Sequence, residues 1–139
     1  MMELKTSVGF KIRFSEIDAM RVVWHGAYVK YLEDAREHFG KMFELSYDLI
    51  EREGYFAPIV DMSVQYKRPL TYNMEPEVTI TYHPTEAAKI VFDYEIHDTV
   101  SNELIATART IQVFMDHHYE LIWDNPPFFE AWKRKWLNE

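Results

Sequence analysis

Apolar and polar residues alternate at the start of the chain. Val8, Phe10, Ile12 and Phe14 are separated by Gly9, Lys11, Arg13 and Ser15. A period of two predicts a half-buried β-strand, because successive side chains leave a strand on opposite faces. The alternation stops at Glu16-Ile17-Asp18-Ala19-Met20, which reads as a loop. The period then changes. Tyr28, Tyr31, Leu32, Ala35, Phe39, Met42 and Phe43 recur every three or four residues and predict an amphipathic helix over about 25–43. Lys30, Glu33, Asp34, Glu37 and Lys41 make its polar side, and Gly40 predicts a weakened last turn. Ser46 suits the N-cap of a short second helix reaching Glu53, with Gly54 as its stop.

Strand follows strand after that. Val60, Met62, Val64 and Tyr66 are expected on one face of a strand that ends at Arg68-Pro69. Val78, Ile80 and Tyr82 mark the next, closed by Pro84, and Ile90, Phe92, Tyr94 and Ile96 a third. Residues of about 103–115 form a fourth whose two faces are both partly apolar: Leu104, Ala106, Ala108 and Phe114 against Ile105, Ile111, Val113 and Met115. Such a strand is expected to be central or covered by another subunit. Asn125 as N-cap, Pro126-Pro127 in the first turn and the Trp132/Trp136 pair predict a final helix over about 126–137. One long helix followed by consecutive strands gives an α+β fold with an antiparallel sheet able to curl around that helix.

Composition narrows the chemistry. The 139 residues suit a single domain, 1–139. There is no cysteine, which excludes disulfides, thiol nucleophiles and cysteine-held metals. Fifteen Lys and Arg against 23 Asp and Glu give a net charge of −8, which disfavours nucleic acid as a partner but permits an anionic ligand at a local basic pocket. No secretory signal and no apolar run long enough for a membrane span is recognised, so a cytoplasmic protein without membrane insertion is expected.

No Gly-x-Ser-x-Gly elbow, Gly-x-Gly-x-x-Gly or P-loop is present. The informative stretch runs from Phe14 to Tyr28. It places the carboxylate of Asp18 in a loop and His25-Gly26 at the start of the long helix. The first amides of a helix lack internal partners and can polarise a carbonyl or hold an oxyanion. A nearby carboxylate can attack that carbonyl or activate water. Loop capping for Asp18, and helix capping or packing for His25, are the alternatives.

The segment Asp-x-x-x-Val-Val-x-His-x-x-Tyr, followed by Tyr31-Leu32-Glu33-Asp34-Ala35-Arg36, resembles the 4-hydroxybenzoyl-CoA thioesterase-like branch of the hotdog superfamily, including the small acyl-CoA thioesterases of the Tol–Pal type. Ser46-Tyr47, Val64-x-Tyr66-x-Arg68-Pro69 and Ala106-x-Ala108-Arg109-Thr110 extend the resemblance over residues of about 8–116. It implies a hotdog fold, a homodimer or homotetramer with sites at the subunit interface, and hydrolysis of an acyl-CoA substrate. No separate cofactor is implied, coenzyme A being part of the substrate. By the same resemblance Asp18 is the catalytic carboxylate, nucleophile or general base. His25 presents its amide to the thioester oxygen, and Tyr28 lies near the acyl channel, with packing as its alternative. Arg21 stands where many relatives have Gly, Phe14 where many have Tyr, and Gly26 where many have Asn or Ala.

Other residues weigh less. A second hotdog thioesterase branch uses a helix glutamate as its carboxylate, and Glu33, two turns into the helix with Arg36 at i+3, is weighed for that role against a partial ion pair on a solvated face. Asp61 lines either the acyl interface or a polar strand face. Lys67 and Arg68 could meet the phosphates of coenzyme A, or simply protect a strand edge. Asp116-His117-His118 reads as a turn rather than a metal site, since neighbouring strand residues point to opposite faces. The Trp132–Trp136 helix packs on the domain or rests on an acidic membrane surface. The competing functions are a non-catalytic acyl-thioester or acyl-carrier-protein binding module, and a dehydratase on the same scaffold.

Overall fold

A computed structural model of the chain describes residues 3–137. Its elements run β1 (Lys5–Gly9), α1 (Tyr28–Met42), α2 (Tyr47–Arg52), β2 (Tyr55–Phe56), β3 (Ile59–Tyr66), β4 (Pro76–His83), β5 (Lys89–Asp98), β6 (Leu104–Asp116), β7 (Leu121–Ile122) and α3 (Pro127–Leu137). All strand pairings are antiparallel, in the order β1-β4-β5-β6, with β2, β3 and β7 also pairing β6. The sheet curls around α1: Phe39 packs on Phe92, and Tyr31 stacks on Phe10. This is the hotdog arrangement.

The 3.6-residue pattern of α1 buries Tyr28, Tyr31, Leu32, Ala35 and Phe39 as expected. Facing them are Val78, Ile80 and Tyr82 of β4 and Ile90, Phe92, Tyr94 and Ile96 of β5, all fully or nearly fully buried. Arg36 is buried too, which its spacing did not suggest. It bonds the Tyr94 hydroxyl at 3.2 Å, which in turn meets Thr110 at 2.7 Å, and it pairs with Glu33. A polar network thus crosses from helix to sheet, where each buried group needs a partner.

α2 forms where its cap predicted. The Ser46 hydroxyl accepts the Leu49 N–H at 3.2 Å, and Gly54 has a φ of 98° just past the helix. Gly40 has another reason besides helix propensity. The α1–α2 turn crosses it so closely that a Cβ would meet Ser46 Cα at 2.8 Å and the Leu45 carbonyl oxygen at 2.9 Å. Both are backbone atoms that cannot swing away. Gly40→Ala is therefore expected to cost about 1–3 kcal/mol despite alanine's better helix propensity. Urea unfolding would measure it.

Three local readings need correction. The first strand lies earlier than the alternation placed it. β1 ends at Gly9, and Phe14 opens a 3₁₀ turn, Phe14–Glu16, with its ring exposed. Phe10 still donates its N–H to the Pro76 carbonyl at 3.1 Å, just past the strand, and Ile12 packs on the core beyond it. In β3 the register slips between Ile59 and Asp61, making Val60 a bulge that faces solvent while Ile59 pairs opposite Gln112. A bulge reverses the phase of every residue before it. At α3, Phe129 and Glu130 N–H both donate to the Pro126 carbonyl, and the Asn125 side chain instead donates to the Glu86 carbonyl at 3.0 Å. The two tryptophans pack inward: Trp132 Nε1 donates to the Phe43 carbonyl at 2.6 Å, and Trp136 lies edge-on to Phe43.

β6 is internal, with β5 on one side and β3 on the other. Among the described residues β3 pairs only with β6, which leaves its other edge open. No helix among the described residues is long and apolar enough to cross a membrane.

Candidate active site

The loop between the first strand and α1 is a tight hairpin. Arg21 N–H donates to the Asp18 carbonyl and Asp18 N–H to the Val22 carbonyl, both at 2.9 Å. Ile17 bridges Val23, and Trp24 N–H closes the base on the Glu16 carbonyl at 2.7 Å. Val23 N–H ties the hairpin to the Leu70 carbonyl at 2.8 Å. Asp18 opens the turn, and its Oδ1 accepts the Met20 N–H at 2.8 Å. None of the described residues bonds its Oδ2. The loop-capping reading of Asp18 is thus correct for one oxygen and leaves the other available for chemistry.

The turn needs a left-handed residue at Arg21, whose φ is 65°. Only glycine occupies that region without steric cost. Arg21→Gly is expected to stabilise the fold by about 0.5–1 kcal/mol, after the larger unfolded-state freedom of glycine is subtracted. Thermal unfolding would register it as a raised midpoint.

Below the hairpin sits a second carboxylate. Glu16 is only 7 % exposed. Its Oε1 accepts the Tyr31 hydroxyl at 2.6 Å and the Arg13 N–H at 2.9 Å. Burial, then the bond and charge of Glu16, push the Tyr31 hydroxyl well above its ordinary range. Tyr31 therefore stays a neutral donor and fixes the hairpin base to the first turns of α1.

His25 begins the 3₁₀ turn His25–Ala27 that runs into α1. Its imidazole is exposed and packs beside Trp24, with ring centroids 5.4 Å apart. The Tyr66 hydroxyl donates to the His25 carbonyl at 3.0 Å, and the Tyr66 ring lies edge-on to Tyr28 at 4.8 Å. In a trans peptide the carbonyl and the following N–H point in opposite directions. Holding the His25 carbonyl therefore aims the Gly26 N–H away from Tyr66. Gly26 itself lies under the Trp24 indole, where a Cβ would come within 2.3 Å of the ring. Any side chain at this position would require the half-exposed Trp24 ring to move aside.

Tyr28 is buried, and burial with Tyr66 nearby pushes its hydroxyl up to about 12, offset in part by the Leu70 backbone. The folded state thus holds this proton more tightly than the unfolded chain. The corresponding stability is complete below pH about 10 and is lost as pH rises from there through about 12. Denaturant midpoints across pH 9–12 should fall for the wild type and fall less for Tyr28→Phe.

Backbone amides at the start of a long helix, a carboxylate in the preceding hairpin and an antiparallel sheet wrapped around that helix occur together in this chain. The sequence pattern of the thioesterase-like superfamily matches residues 12–133, which takes in the hairpin, α1 and the sheet. The chain belongs to the thioesterase-like superfamily. It is 28 % identical over 106 residues to Bacillus subtilis YneP, provisionally named an acyl-CoA thioesterase, covering 76 % of each chain. It is 29 % identical over 112 residues to an Arabidopsis thaliana chloroplastic acyl-acyl carrier protein thioesterase, covering 81 % of this chain and 59 % of that one. Among solved structures, the Staphylococcus aureus DHNA-CoA thioesterase superposes with a TM-score of 0.80 at 27 % identity, over 99 % of this chain and 94 % of that one.

Within this thioesterase-like fold the remaining candidates scatter. Asp61 is exposed on β3, paired opposite Ile111 with its side chain on the outer sheet face. Lys67 reaches Gln65 at 3.2 Å, and Arg68 is paired with Glu103 at 3.3 Å. Glu33 is taken up by Arg36. Asp116 accepts the N–H groups of His118 and Glu120 in the β6–β7 turn. The hairpin, His25, Tyr28 and Tyr66 converge; Asp61, Lys67 and Arg68 do not join them through any contact of the described residues. Glu16, Tyr31 and Tyr66 are the additions. A tyrosine on the buried helix face, which needs a hydrogen-bond partner, is the one sequence signal for the Glu16–Tyr31 pair.

Proposed function

We propose that this protein is an acyl-CoA thioesterase of the 4-hydroxybenzoyl-CoA thioesterase-like branch. The observation that carries the reading is Asp18, with one oxygen anchored to the Met20 amide and the other open, in a hairpin joined to the helix start at His25-Gly26. The thioester oxygen faces the amides of His25 and Gly26, whose partial positive charge stabilises the oxyanion that develops there. Asp18 supplies the second half of the reaction. It either attacks the carbonyl carbon, forming an anhydride that water then cleaves, or removes a proton from a water that attacks directly. In both routes one water is consumed, the C–S bond breaks, and the carboxylic acid and the coenzyme A thiol are the products. A thiolate is a weakly basic leaving group, so little acid assistance is needed. No metal or organic cofactor takes part in this scheme.

The working unit in this reading is a homodimer or larger. β3 offers an open eight-residue edge, with Val60 and Tyr66 exposed along it, and such edges pair with another chain unless blocked. Sedimentation of the purified chain tests this directly. Tyr28 supports the helix start, and Asp61 on the outer face of the same strand lies where a second chain could approach. The name of the Arabidopsis relative favours a second reading, in which an acyl-carrier protein delivers the thioester.

Free-thiol release from a panel of short-chain, long-chain and aromatic acyl-CoAs, alongside acyl-carrier-protein thioesters, tests the activity. Turnover of at least one acyl-CoA supports the reading. Turnover of carrier-protein thioesters alone selects the second, and binding without thiol release selects a non-catalytic module.

A further inference from the structure

A broad groove lies beside the candidate site and has no role in the scheme above. It has a volume of about 920 Å³ and runs between residues 8–16 and the first turns of α1, ending at Glu16, two residues from Asp18. A second hollow of about 660 Å³ continues it along Gly9–Ile12 toward Tyr72.

Its walls carry Lys11, Arg13 and Lys30. Among the described residues the Lys and Arg side chains in ion pairs are Lys5, Arg36, Lys41, Arg68, Arg109 and Lys135. None of the three groove cations is among them. Of the carboxylates nearby, Glu33 is taken up by Arg36, while Glu16, bonded to the neutral Tyr31 hydroxyl, and Asp34, on the helix wall, keep their charge. Three cations outside those ion pairs against these two carboxylates leave a small local excess of positive charge in a chain of net charge −8. The groove also holds two aromatic rings that do not contribute to the core. Phe14 is 78 % exposed and Tyr72 51 %, and they meet edge to face at 6.1 Å. Exposed rings beside unpaired cations suit a ligand that carries both a flat heterocycle and phosphates. Arg68, by contrast, is already paired with Glu103.

We propose that this groove holds the nucleotide end of coenzyme A, with its phosphates against Lys11, Arg13 and Lys30 and its adenine on Phe14 and Tyr72. The assignment rests on the acyl-CoA reading and extends it from the reacting atoms to the recognition of the leaving group. The pantetheine arm then leads from the groove past Glu16 toward the hairpin. Exposed charges each change binding by a few-fold at most, so their combined effect is on the order of tenfold. Rim charges of this kind also make binding salt-dependent.

Two measurements test it. Calorimetry with coenzyme A itself needs no turnover. The Lys11→Gln/Arg13→Gln/Lys30→Gln variant should bind about tenfold more weakly than wild type, with a flatter salt dependence, and Phe14→Ala should weaken binding independently. The second compares kcat/KM for an acyl-CoA with that for the matching acyl-pantetheine, which lacks the nucleotide. The triple variant should lower this ratio about tenfold, while Lys89→Gln/Arg134→Gln, away from the groove, leaves it as in wild type. Equal coenzyme A affinity in wild type and the triple variant overturns the proposal, as does a loss confined to acyl-carrier-protein substrates. A wild type that binds coenzyme A through the groove but releases no thiol overturns the hydrolase reading and leaves this one supported.

Discussion

Asp18→Asn is expected to lower kcat for acyl-CoA hydrolysis by about a thousandfold, within the range for loss of a positioned acid–base group. The fold should be unaffected. Asn keeps an oxygen that can accept the Met20 N–H, so the turn that Asp18 opens is preserved. What disappears is the negative charge on the free oxygen, which serves as nucleophile or base. The substrate's KM should change little, because the amides at His25-Gly26 still receive the carbonyl. Asp18→Ala is less informative, since it also removes the turn's side-chain bond. A variant that keeps wild-type kcat places the chemistry elsewhere, and the helix carboxylate Glu33 is then the first alternative to test. Glu33 is compromised for that role by its pairing with Arg36. Steady-state thiol release, with circular dichroism to confirm folding, measures the effect.

The largest stability change is expected at Phe39. Its side chain is fully buried and touches Phe43 at 4.6 Å and Phe92 at 4.8 Å between ring centroids, joining α1 to the middle of the sheet. Phe39→Ala removes most of a buried ring and leaves a void that aromatic neighbours cannot collapse into. The cost should be about 3–5 kcal/mol, a large share of the ~5–15 kcal/mol typical of a whole domain. Phe39→Leu, which refills most of the volume, should cost well under half as much. Urea titrations with a common slope would separate the two. Because α1 carries the helix start, Phe39→Ala should also lose activity at temperatures where the fold still persists.

The sequence was most readable where local rules act alone. The apolar stripe of α1, the Ser46 cap, Gly54 and the strands of β4 and β5 all rest on periodicity or capping chemistry within a few residues. Reading failed where a distant partner decides. Phe10 and Ile12 alternate like strand residues, yet the ladder gives out after the Phe10 N–H bond to the Pro76 carbonyl, and beyond it stacking of Phe10 on Tyr31 and core packing of Ile12 hold the chain. Val60 bulges out because β3 must adjust its register against β6, information carried by the partner strand. Asn125 found the Glu86 carbonyl instead of the helix end. The candidate site divides the same way. The Asp18 turn and the His25 helix start are local and were legible. Tyr66 is 41 residues from His25 in sequence, and Glu16 is buried only because Tyr31 comes down on it. Arg21 shows the limit in another form: a non-glycine residue still adopts the left-handed backbone the hairpin requires, bearing the strain.

The most direct test of the central claim is a crystal structure of the protein with a non-hydrolysable acyl-CoA analogue that keeps the carbonyl. The carbonyl oxygen is predicted within about 3 Å of the His25 or Gly26 N–H, with an Asp18 carboxylate oxygen, or a water bound to it, about 3–3.5 Å from the carbonyl carbon. A carbonyl seated away from both, with Asp18 still bound only to its own loop, would contradict it.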